Sequence, residues 1–220
     1  MRITTSLCAT LGLVFLGAPL AGGLSAQEAA AHTHIQHVAD AFAGAPQGLG
    51  LLPTAIAEAE VVIQHAELAA AEPGNLAAIQ RHATHVLHAV DPALAEGGGP
   101  GLGYGLRPAA EGVARHIQLA ADSEGASDDV ELHARHIRTS AQNVVERADA
   151  IADLAARIRA AATADEASEL LEELTEIAEA VIDGVDANRD GGVGWRKTEG
   201  GLEQARQHVN VLKDAEELSD

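Results

Sequence analysis

The chain has 220 residues, with 14 Lys or Arg against 33 Asp or Glu and a net charge of −19. That excess of acid excludes nucleic acid and anionic membrane surfaces as natural partners and favours cations. A single cysteine and a single methionine, Cys8 and Met1, exclude a disulfide framework and argue against a site tuned for Cu(I).

Arg2, the apolar run Leu7 to Leu20 and the small residues Gly22 to Ala26 read as a secretory signal peptide, residues 1–26. The protein is therefore expected to be exported, periplasmic or secreted. Once the leader leaves, residues 27–220 contain no cysteine, and Phe42, Tyr104 and Trp195 are their only aromatics. Alanine is abundant, valine and isoleucine recur at helical spacing, and no segment sustains strand alternation. One all-α domain is expected, an antiparallel helical bundle.

A first helix is expected over residues 27–43, with Ile35, Val38 and Phe42 as its apolar stripe. A glycine-rich loop leads to Pro53, which suits the first turn of a second helix ending near Ala71. Asn75 is the cap of a third helix, which stops before Asp91-Pro92. Pro108 opens a fourth. The fifth, from about Asp129 to Ala162, carries Val130, Ala134, Ile137, Ala141, Val144, Ala148, Ile151, Ala155 and Ile158 at alternating steps of four and three. That is a heptad seam with small residues for close helix approach. A sixth helix spans 165–182 and a seventh 202–214.

Histidines recur on this frame. His65 precedes the turn 71–75 by the same distance at which His82 follows it, with His85 one step later. At a rise of ~1.5 Å per residue the three share one height, roughly 13 Å from the turn. Fifty-one residues on, His116, His133 and His136 repeat the set, and Glu60 maps onto Glu111. The halves of a third copy stand at the two ends, His34 and His37 in the first helix, Glu203 and His208 in the last. Three pseudo-repeated histidine hairpins are expected, one split between the termini, with triplets His65/His82/His85, His116/His133/His136 and His34/His37/His208. All nine fall on one flank of the apolar seams. Two imidazoles three residues apart plus one from a facing helix make a site for Zn, Cu or Ni, a ligand set of neutral nitrogens. Glu60, Glu111 and Glu203 lie about 140° round the helix from their histidines, so they are expected to bridge to neighbouring helices. His32 and His88 fall outside the repeat and read as solvated.

Between the last two helices, Asp186, Asn188 and Asp190 alternate ahead of Gly191 and Gly192, with Val193 following. The run resembles the calcium loop of the EF-hand family. The resemblance implies Ca²⁺ held by those three side chains and the Gly192 carbonyl. The family's twelfth-position glutamate is replaced by Lys197, leaving Glu199 as the substitute, and the likeness covers only residues 186–199. Calcium here is expected to be weak and to steady His208.

The function expected is that of an exported, non-catalytic metal-binding protein, a buffer, carrier or sensor of a divalent transition metal. The alternatives are a non-covalent haem bundle with paired histidine ligands and a structural calcium-binding helical protein.

Overall fold

The computed structural model describes residues 26–218. The expected signal peptide lies outside them but for its last residue, Ala26. Among the described residues there are seven α-helices and no strand: α1 (Ala26–Ala39), α2 (Leu51–Ala70), α3 (Leu76–Val90), α4 (Leu106–Ala121), α5 (Asp128–Ala160), α6 (Ala164–Asp183) and α7 (Leu202–Ala215). None is long and apolar enough to cross a membrane.

α5 is the mast of the bundle, touching α3, α4, α6 and α7. All nine residues of its seam are buried. Alanine at every second seam position lets neighbours approach closely, and each fully buried isoleucine contributes about 1.5–3 kcal/mol. Its first turn is acidic, its last holds Arg157 and Arg159, and Ser127 caps it by accepting from the Val130 N–H. These charges sit at the favourable ends of the helix dipole. Gln80 of α3 donates to the carbonyls of Arg159 and Ala161, occupying acceptors at its far end. α2 packs on α3, α4 and α6, and α1 packs mainly on α4.

α1 is shorter than expected. It stops at Ala39, so Phe42 lies beyond the helix and not on its stripe. The chain turns back there, with the Phe42 N–H donating to the Leu49 carbonyl at 3.0 Å. The crossing is close: a Cβ on Gly50 would sit 2.6 Å from the Ala39 carbonyl carbon. The first and last helices meet, through His32 Nε2 to Glu216 Oε2 at 2.8 Å and Lys213 Nζ to Asp40 Oδ1 at 2.6 Å. Glu216, just beyond α7, is held further by the Ser127 hydroxyl.

Candidate metal centres

In the α2–α3 hairpin, a five-residue turn and the Asn75 cap, accepting from the Ala78 N–H at 3.1 Å, return the chain at the expected height. His65 Nδ1 stands 2.9 Å from His82 Nδ1 and 3.4 Å from His85 Nδ1. This triplet is as expected.

The other two are exchanged. His116 Nδ1 lies 3.1 Å from His34 Nδ1 and 3.3 Å from His37 Nδ1. His208 Nδ1 lies 2.9 Å from His133 Nδ1, with its ring 4.5 Å from that of His136. The groups are therefore His34/His37/His116, His65/His82/His85 and His133/His136/His208, each able to hold a metal ion. The expected triplets His116/His133/His136 and His34/His37/His208 do not form. Equal distance from a turn sets equal height and says nothing about azimuth. α1 meets the histidine of α4, and α7 meets the histidines of α5, so the two halves of the second hairpin take different partners. Each site still joins one single-histidine helix to one helix bearing a His-x2-His pair.

Three nitrogens bound to one Zn²⁺ at about 2.0–2.1 Å stand about 3.3–3.4 Å apart in a tetrahedron and about 2.9 Å apart at right angles. The observed separations, 2.9–3.4 Å, cover that span. Without an ion the arrangement is poorly satisfied. An imidazole nitrogen carries one proton or one lone pair, so His65 and His116, each facing two nitrogens, can serve only one of them well. His136 Nδ1 is buried with no hydrogen-bond partner at all.

The electrostatics favour the neutral form of seven of the rings. Burial, then His85 and His82, pushes His65 down to about 4. Burial, then His136 and His133, does the same to His208, also to about 4. His34, His82, His85, His116 and His136 are lowered as well, in each case chiefly by burial. Arg81 adds to the effect on His82 and His85. Neutral imidazole is the ligating form, so protons compete weakly.

Two aromatic rings stand against the sites, which the pattern of histidines alone did not reveal. Phe42 lies 5.1 Å from His116 and 5.4 Å from His37, ring centre to ring centre. Trp195 lies 4.2 Å from His136 and 5.1 Å from His208. The usable signal was scarcity, since the chain has two Phe, one Tyr and one Trp.

Other expectations are corrected. Glu111 pairs with Arg107 and Glu203 with Arg206 and Gln207, all within their own helices, because residues three or four apart are neighbours on a helix. Glu60 is exposed. His88 is buried, its Nδ1 3.2 Å from the Pro100 carbonyl, because the glycine-rich segment before α4 folds over it. Glu58 anchors the same segment: wholly buried, it accepts from the N–H groups of Tyr104 and Gly105. His32 is half-buried against Glu216.

In the 186–199 loop, Asp186 accepts from the Asp190 and Gly191 N–H groups, Asn188 from Asp190, and Asp190 from Gly192. Glu199 is buried and accepts from the Gly194 N–H. The loop's acids are not among the groups of three converging ligands found in the described residues, all of which are histidines.

No protein-family model, curated protein or solved structure matches the chain.

Proposed function

We propose that the chain is an exported, non-catalytic protein that binds divalent transition-metal ions, one at each triad, as a buffer, carrier or sensor. The observation that carries this reading is the convergence of imidazole nitrogens in three separate groups, all within 4.8 Å of one another in each, with five Nδ1 pairs at 2.9–3.4 Å. Imidazole ligation suits Zn²⁺, Cu²⁺ and Ni²⁺, and the acidic surface draws such cations in. The rings beside the triads are other imidazoles, Phe42 and Trp195. Nitrogens 2.9 Å apart leave no space between them for a macrocycle, so a small ion fits better than haem. Export rests on the apolar leader sequence. The Asp186 loop is proposed as a weak Ca²⁺ site, supported by the gathering of Asp186, Asn188 and Asp190 and weakened by Glu199 being engaged elsewhere.

The test is calorimetric titration of the metal-free mature chain with Zn²⁺, Cu²⁺ and Ni²⁺, alongside elemental analysis of protein from its native compartment. Three equivalents of at least one ion, lost on acid unfolding, are expected. Uptake no tighter than that of the unfolded chain would refute the reading.

A further inference from the structure

The segment between α6 and α7, residues 184–201, is fastened to α5 by two side chains. Asn143 donates to the carbonyls of Arg196 and Gly200 and accepts from the Thr198 N–H. Arg147 donates to the carbonyls of Thr198, Glu199 and Gly200, each at 2.8 Å. A guanidinium that spends its donors on backbone oxygens fixes the path of the chain. Here it holds Thr198 at φ +75°, a conformation disfavoured for a residue with a Cβ. Gly200 lies so close to Ser140 that a Cβ would overlap its hydroxyl. At the far side, the Gly194 N–H is taken by Glu199.

What these fastenings present is Trp195. The residue is 45% exposed, so burial in the core does not account for its position. The ring contacts recorded for it are two imidazoles of the third triad, His136 and His208. The chain has one tryptophan. Among the described residues the α2–α3 triad has no such wall, and that of the first triad, Phe42, stands beyond α1 in the shorter connector to α2.

We infer that Trp195 is a positioning residue for the third triad, and that filling this triad, alone of the three, orders the 184–201 segment. An ion fixes the imidazoles of His136 and His208 in one orientation, giving the indole two rigid faces to pack on. A docked indole in turn restrains those rings before the ion arrives. The coupling is reciprocal, typically ~5–150-fold in affinity. The third site thereby differs in kind from the other two: its occupancy is written onto an exposed loop. The inference rests on the metal-binding reading above.

The test uses the full mature chain and its single tryptophan. Cu²⁺ is titrated while Trp195 fluorescence and calorimetric heat are followed together, and hydrogen exchange of residues 186–199 is measured with and without Zn²⁺. In the wild type, quenching is expected to saturate with one of three equivalents, and Zn²⁺ is expected to slow exchange across the loop. His208→Ala should abolish both responses, whereas His82→Ala with His85→Ala should leave both. Trp195→Ala should weaken one of three ions by ~5-fold or more, with Trp195→Phe restoring most of it. Three ions bound with unchanged affinities in Trp195→Ala, or quenching that follows the His82/His85 variant, would overturn the inference while leaving metal binding intact. A wild type that takes up no ion would overturn both.

Discussion

The α2–α3 and α4–α5 hairpins carry the same histidines at the same spacing, yet only the first builds a site from its own two helices. In the first, His65 faces His82 and His85 directly. In the second, His116 turns to α1 and His133 and His136 turn to α7. The turn is five residues in one and six in the other, and α5 runs to 33 residues against 15 for α3. The longer helix packs against α7, which carries His208, whereas α3 packs chiefly on α2 and α5. Spacing along a chain thus sets the level at which side chains meet, and the order of helices round the bundle sets which of them meet.

The largest effect should come from removing a pair. His82→Ala with His85→Ala is expected to abolish one ion and leave two, as counted by native mass spectrometry. At free ion 100 times the dissociation constant, each lost site removes ~2.7 kcal/mol of metal-linked stability. A variant that still held three ions would break the α2–α3 assignment.

Next come the turns. One glycine inserted between Pro73 and Gly74 should weaken the ion at His65, because that turn holds both halves of the site. One inserted between Glu124 and Gly125 should leave metal affinity nearly unchanged, because no site there is closed by its own hairpin. Lengthening either loop by one residue costs well under ~1 kcal/mol of stability by closure entropy alone. Equal losses of affinity in calorimetry would remove the contrast.

Acid gives a smaller, graded effect. His65 and His208 are lowered from 6.5 to about 4 in the folded chain. Between those values the unfolded chain binds protons there that the folded chain refuses. Their contribution to stability is therefore complete above pH 6.5 and lost as pH falls towards about 4. The metal-free melting temperature should fall across that window, less steeply in His65→Gln. By the same lowering, the ion at His65, His82 and His85 should stay bound below pH 6.5. Release at the pH of free imidazole would contradict it.

The smallest effect belongs to the glutamates. Glu111→Gln and Glu203→Gln remove ion pairs on half- to fully exposed helix faces and should cost ~0–1 kcal/mol with no change in metal stoichiometry.

Much of this was legible in the residues. The α5 seam is buried at every position read from its steps of four and three, and Asn75 caps α3 as its side chain suggests. All nine histidines of the repeat fall into threes. Their partition was not legible, because periodicity carries no information about which third helix lies beside a flank. Phe42 was read as part of α1, whose apolar step it continues; the close crossing at Gly50 takes it out of the helix and onto His37 and His116. The burial of His88 depends on the fold of a glycine-rich segment with no period of its own. Trp195 reaches its triad through hydrogen bonds from Asn143 and Arg147 to backbone carbonyls, which leave no trace in a pattern of side chains.

The measurement that bears most directly on the three-site account is a count of Zn²⁺ ions, by native mass spectrometry, in two triple variants. Replacing His34, His37 and His116 by alanine empties one triad and should leave two ions. Replacing His116, His133 and His136 breaks two triads and should leave one, at His65, His82 and His85. If the second variant kept two ions and the first only one, the hairpin pairing would stand and the geometry described here would be wrong. If the wild type bound none, the histidines would not be metal sites at all.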